Sequence, residues 1–178
     1  MRLFDFFKVT AAAAAVMAAS ALASAQEAGS KLPGGASSLQ ENYEAWNVVC
    51  QGVPKTLCSI SQQQTQQNGQ RVLAAELQLD ENETFTGTLV LPFGLLLDAG
   101  VTLQVDEAEP RDPIAFQTCL PAGCLARLSF DAKMLSALRS GTALKIKVQN
   151  TDGKEVNLSV PLKGLAAALD RLAALSGA

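Results

Sequence analysis

The chain contains no histidine among its 178 residues. This absence excludes Ser-His-Asp and Cys-His nucleophile pairs, histidine-ligated zinc and acid–base catalysis by imidazole within this chain. Any reaction would have to use carboxylates, lysine, the single tyrosine or thiols. We therefore expect a protein that is not an enzyme and that carries neither a cofactor nor a metal ion.

An excess of positive charge is also lacking. The chain has 14 Lys and Arg residues against 17 Asp and Glu residues, which gives a net charge of −3 at pH 7. No basic patch stands out of the kind that nucleic acid or an anionic membrane surface requires, so we expect no nucleic-acid partner. A chain of this length fits one domain and buries roughly two-thirds of its unfolded surface, so cysteines reinforce the core rather than replace it.

Residues 1–25 have the pattern of a secretory signal peptide. Two basic residues flank the start of an apolar run over residues 9–23, and small residues fill the cleavage site before Gln26. The apolar run is shorter than the ~20 residues of a membrane-spanning helix. We expect cleavage after Ala25, a periplasmic or secreted protein, and no transmembrane segment after cleavage.

Residues 26–42 are rich in glycine, serine, alanine and polar residues. Their only large apolar side chains are those of Leu32 and Leu39. Such a segment buries too little apolar surface to order itself, so the composition predicts a flexible leader. A single folded domain is predicted over residues 43–178.

Apolar and polar residues alternate in several short segments, which is the signature of half-buried strands. The segments with this alternation include residues 73–79, 101–105, 144–148 and 156–160. Short strands at this spacing favour an all-β fold, an antiparallel β-sandwich.

Two helices interrupt the strand pattern. Asp131 as an N-cap and Gly141 as a stop predict a short inserted helix. Leu165, Leu169 and Leu172 share one side of a C-terminal helix. That helix either docks on the sandwich, which we favour, or binds a partner.

The four cysteines form two local pairs in the sequence. Facing residues of antiparallel strands approach to about 4.5 Å between Cα atoms, which permits a disulfide. We therefore favour the pairs Cys50–Cys58 and Cys119–Cys124, the second around a turn that contains Pro121. Four cysteines nevertheless allow three connectivities, and longer closures stabilise a chain more. A redox-active dithiol and a four-cysteine zinc site are the less favoured alternatives, because the spacings fit neither.

Several motifs carry a family resemblance. They are "EAWNVVC" (44–50), "LVLPFGLLLDAGVTLQVD" (89–106), "FQTCLPAGCLARLSFD" (116–131) and "SVPLKGLAAALDRL" (159–172). In this order they resemble the invasion associated locus B family over roughly residues 41–175, a span that includes all four cysteines. The resemblance implies an exported bacterial protein with an immunoglobulin-like β-sandwich, no established catalytic role and a family name linked to host-cell invasion.

The block "LPFGLLLDAG" breaks the strand alternation. Leu95, Leu96 and Leu97 are consecutive, so they cannot all point to one face of a sheet. The favoured interpretation is a buried segment that crosses between two sheets. The alternative is an exposed apolar loop that contacts a partner or lipid. Together with Phe93, these leucines are the candidate interaction residues.

Three functional hypotheses follow. The favoured one is a non-catalytic binding module of the cell envelope, whose partner is an unidentified protein in the envelope or on a host cell. The second is a structural or accessory periplasmic protein that supports envelope integrity or stress tolerance. The third and least favoured is a thiol-redox enzyme.

Overall fold

The computed structural model describes residues 31–80 and 82–176. Short 3₁₀ turns lie at Pro33–Gly35 and Leu97–Ala99. The strands and helices, in chain order, are β1 (Ser38–Tyr43), β2 (Trp46–Gln51), β3 (Leu57–Thr65), β4 (Arg71–Leu79), β5 (Phe85–Leu91), β6 (Thr102–Val105), β7 (Phe116–Leu120), β8 (Gly123–Ser129), α1 (Ala132–Ser140), β9 (Ala143–Gln149), β10 (Glu155–Pro161) and α2 (Leu165–Ser176).

The strands form two antiparallel sheets. The larger has seven strands in the order β1-β2-β3-β4-β5-β8-β7, and the smaller has three in the order β10-β9-β6. The chain passes from the smaller sheet to the larger through residues 106–115. Ile114 in this segment forms an isolated bridge with Val101, which precedes β6. The predicted all-β antiparallel sandwich, with a short inserted helix and a C-terminal helix, is confirmed.

One face of each sheet contributes to a shared apolar core. Strand β2 shows the pattern, since Trp46, Val48 and Cys50 are buried while Val49 is exposed. Three side-chain donors on the larger sheet also reach the edge of the smaller one. Trp46 Nε1 donates to the Pro161 carbonyl at 3.1 Å, and the amides of Gln62 and Gln64 donate to the carbonyls of Pro161 and Ser159. These bonds satisfy polar groups along the seam between the sheets.

Helix α1 begins where its cap predicts. The Asp131 carboxylate accepts from the Met134 N–H at 2.6 Å and from Arg111 Nη2 at 2.7 Å. The Arg111 guanidinium, together with that N–H, holds the pKa of Asp131 below its usual range. The helix ends before Gly141, as predicted.

Helix α2 is docked on the sandwich, as the favoured interpretation predicted. Leu165, Leu169 and Leu172 are all buried in the core. A polar clamp also fixes the helix to β1, because Arg171 donates to both carboxylate oxygens of Glu41 at 2.7 and 2.8 Å. The Arg171 guanidinium lowers the pKa of Glu41.

The ordered structure extends further toward the N-terminus than the sequence predicted. Strand β1 lies within the predicted flexible leader except for its last residue, Tyr43. It pairs with β2 along its whole length, from Ser38 opposite Gln51 to Tyr43 opposite Trp46. Leu32 is also buried. The difference arises because main-chain hydrogen bonds hold an edge strand whose side chains are mostly polar. The predicted signal peptide and residues 26–30 lie outside the described residues.

Candidate interaction surface

Both cysteine pairs close hairpins of the larger sheet. Cys50 is bonded to Cys58 across β2 and β3, with a Cα–Cα distance of 4.1 Å. Cys119 is bonded to Cys124 across β7 and β8, with a Cα–Cα distance of 3.9 Å. This is the local pairing that the strand geometry favoured. No cysteine in the described ranges is free, so none of the four is available as a thiolate nucleophile or ligand in this state.

In residues 31–80 and 82–176, no group of three or more cysteine, aspartate or glutamate side chains is arranged to hold a metal ion. Within the same ranges, no helix combines the length and apolar character needed to cross a bilayer.

The "LPFGLLLDAG" block forms a loop that leaves β5 and leads into β6. It turns at Gly94, whose φ of 83° is in the left-handed region that favours glycine. Main-chain bonds then tie it to the β9–β10 turn: the Leu96 N–H donates to the Gln149 carbonyl at 2.8 Å, and the Thr151 N–H donates to the Gly94 carbonyl at 3.1 Å. The loop is therefore held in place at its midpoint.

The four candidate residues of this loop do not share one environment. Phe93, Leu96 and Leu97 are 62%, 39% and 42% exposed. Leu95 is only 8% exposed and forms a bridge with Asn150. The inclusion of Leu95 among the interaction residues was therefore wrong, because its side chain anchors the loop in the core. The favoured interpretation was a buried segment that crosses between the two sheets. The block does cross, because it leads from β5 in the larger sheet to β6 in the smaller, but of the four candidate residues only Leu95 is buried.

A fourth exposed apolar residue lies at the same end of the sandwich. Leu91 faces Cys124 across β5 and β8, and Cys119 faces Cys124 across β7 and β8. The β7–β8 turn therefore projects beyond the end of β5, as the loop does. Leu120, at the start of that turn, is 50% exposed. We call Phe93, Leu96, Leu97 and Leu120 the apolar tip. Leu120 was not among the predicted interaction residues, although a large apolar side chain in a tight turn was a usable signal.

The far side of the loop is packed against the segment that precedes β7. Val101 and Ile114 exchange main-chain hydrogen bonds of 2.8 and 2.9 Å. Gly100 has a φ of 68°, and a Cβ atom there would lie 2.7 Å from the Ile114 carbonyl oxygen. A groove of about 420 Å³ separates this part of the loop from β7, and Leu97 lines it. A loop held at its midpoint and at its far end loses little conformational entropy when a partner binds.

The sequence and the fold of this chain are similar to those of known proteins. The sequence profile of the invasion associated locus B (IalB) protein matches residues 46–173. The chain belongs to the invasion associated locus B family. The predicted resemblance is confirmed, and the matched region includes both disulfides and the apolar tip.

Relatives from two bacterial genera support this assignment. The chain is 44% identical over 159 residues to the invasion protein B homolog of Brucella abortus (strain 2308), covering 88% of this chain and 91% of that one. It is 35% identical over 149 residues to the invasion protein B of Bartonella bacilliformis, covering 81% and 80%. The crystal structure of the invasion associated protein B from Bartonella henselae superimposes with a TM-score of 0.73 at 34% identity, covering 79% of this chain and 99% of that chain.

Proposed function

We propose that this member of the family is an exported, non-catalytic binding module of the bacterial cell envelope, and that its apolar tip contacts a protein partner. The observation that carries the proposal is the exposure of Phe93, Leu96 and Leu97 on a loop that main-chain bonds hold in place. Isolated exposed leucines are ordinary, whereas a cluster of large apolar side chains at one end of a domain is typical of an interaction surface.

Several features support the other parts of the proposal. The signal-peptide pattern of residues 1–25 supports export, and two disulfides are typical of an oxidising compartment. The lack of histidine and the pairing of all four cysteines in disulfides support a non-catalytic role. The names of the Brucella and Bartonella relatives support a partner on a host cell, and a partner within the envelope is the other outcome to be tested.

Replacing Leu96 by aspartate tests the proposal. The Leu96→Asp variant should capture about ten-fold less partner than the unmodified protein, because binding would require the new carboxylate to be desolvated at the contact. The measurement is affinity capture from crosslinked envelopes and from host-cell membranes, followed by mass spectrometry. The matched control is Ala167→Asp on the exposed side of α2, and thermal unfolding of both variants confirms that they fold. The proposal fails if folded Leu96→Asp captures the same partners in the same amounts as the control.

A further inference from the structure

The larger sheet opens into a fork at the end opposite the apolar tip. Strand β3 begins at Leu57 and β4 ends at Leu79, but the pairing between these strands stops at Ile60 opposite Leu77. Beyond that point, residues 57–59 pair only with β2, and residues 78–79 pair only with β5. A groove of about 750 Å³ lies at this opening, which we call the β3–β4 fork. A volume of that order is within the usual range for ligand sites, roughly 300–1,000 Å³.

The main chain of β3 presents hydrogen-bonding groups to the fork. Cys50 and Cys58 face each other with Cα atoms 4.1 Å apart, which is the spacing of a pair whose peptide groups do not bond to each other. The N–H and carbonyl of Cys58 therefore point away from β2 and toward β4. Continuing the register from Ile60 and Leu77 would set Leu79 opposite Cys58, yet no ladder pairing joins them. The fork thus resembles an exposed sheet edge, to which an extended peptide can add.

Aliphatic side chains line the fork on both faces of the sheet. Val49 and Leu57 lie on the outer face and are 41% and 61% exposed. Leu79 lines the groove from the inner face of β4, where it is half-buried against the core. Covering these side chains removes apolar surface from water, which favours a ligand with aliphatic groups.

Negative charge dominates the rest of the lining. Glu76, Asp80 and Glu83 line the groove, and Lys55 is the single cation among its described lining residues. None of the three carboxylates forms an ion pair within the described ranges. Asp80 accepts main-chain hydrogen bonds from Asn82 and Thr84, which fix the turn that carries Asp80 and Glu83, whereas Glu76 lies on β4. Charge complementarity therefore favours a cationic ligand.

We propose that the β3–β4 fork binds an extended, cationic segment of another protein, in which lysine or arginine alternates with aliphatic residues. The alternation follows from strand geometry, since successive side chains point to opposite faces. Main-chain groups of the segment bond to Cys58. Its aliphatic side chains point to the inner face and cover Leu79, while its cations point to the outer face toward Glu76, Asp80 and Glu83 and lay their methylene stems over Val49 and Leu57. This surface is separate from the apolar tip, so the proposal for either surface can be disproved without affecting the other.

The test uses the purified, oxidised protein and a synthetic peptide. The probe is a capped, fluorescent peptide of alternating lysine and valine, about seven residues long to match a typical strand. Binding is measured by fluorescence anisotropy. Leu57→Asn should weaken binding about ten-fold by removing an aliphatic contact. Glu76→Gln should weaken it by a factor of about three and should flatten its dependence on salt. The matched controls, Leu120→Asn and Glu109→Gln, should bind as the unmodified protein does.

Altered peptides distinguish this mode from simple charge attraction. A glutamate–valine peptide, a lysine–serine peptide and a lysine–valine peptide N-methylated at alternate residues should each bind at least about ten-fold more weakly. Equal binding of the lysine–serine or N-methylated peptide would overturn the proposal. It is also overturned if the lysine–valine peptide does not bind, if Leu120→Asn weakens binding as much as Leu57→Asn, or if Ca²⁺ alone binds in a Glu76-dependent way without peptide binding.

Discussion

Leu169→Ala lowers the free energy of unfolding by about 2–5 kcal/mol. Leu169 is fully buried on α2, where the helix covers the larger sheet. Removal of its side chain forfeits the transfer of apolar atoms from water and leaves a cavity in the core. Chemical unfolding in urea measures the change, and the single tryptophan is a suitable reporter because Trp46 is itself buried in that core.

The same truncation at an exposed leucine is the matched control. Leu57 is 61% exposed, so Leu57→Ala should cost less than about 1 kcal/mol. If Leu169→Ala is no more destabilising than Leu57→Ala, α2 is not part of the cooperative core, and the docked position of the helix is contradicted.

Gly164→Ala lowers the free energy of unfolding by about 3 kcal/mol or more. Gly164 has a φ of 91°, which L-residues with a side chain rarely adopt. A Cβ atom there would overlap the Tyr43 carbonyl oxygen and would lie 2.8 Å from its carbonyl carbon. The substitution therefore pushes the start of α2 away from the β1–β2 turn. Urea unfolding and the near-ultraviolet signal of Tyr43 and Trp46 measure the effect.

Gly153→Ala separates the two causes. Gly153 also has a positive φ, of 76°, but a Cβ atom there would meet nothing within 4 Å. Its alanine variant carries the backbone strain alone, which costs about 1–2 kcal/mol. Equal losses at the two glycines would show that the close approach of Gly164 to Tyr43 is not part of the fold.

Local signals in the sequence predicted much of this architecture. Alternation of apolar residues located the strands of the smaller sheet and β4, because one face of each is buried. The Asp131 cap located α1, and the leucine spacing located α2. The disulfide pairing could also be predicted from the sequence, because it depends on residues close in the chain and on the geometry of a hairpin.

The structural features that the sequence did not predict depend on contacts between residues far apart in the chain. Strand β1 is held by main-chain bonds to β2 and by the Glu41–Arg171 clamp, which composition does not show. Asp106 lies in an acidic stretch of the sequence, and its carboxylate accepts from the main-chain N–H groups of Thr142 and Ala143, which are distant in the chain. Those bonds lower its pKa.

The candidate sites were also predicted only as far as local sequence determines them. The sequence identified the apolar loop but could not decide which of its leucines is buried, because that depends on the β9–β10 turn. The β3–β4 fork was not predicted at all. It forms because the start of β3 stays paired with β2 while the end of β4 stays paired with β5. The two strands therefore separate as parts of two different hairpins.

Photo-crosslinking in living cells tests the role of the apolar tip most directly. A photoreactive amino acid replaces Leu96 in one variant and Glu109, an exposed residue outside the tip, in another. If the apolar tip binds a partner, position 96 gives a discrete crosslinked species, in the bacterial envelope or during host-cell contact, that is absent at position 109. No crosslinked species at position 96 under either condition, or the same species at both positions, would contradict the assignment of the apolar tip as a partner-binding surface.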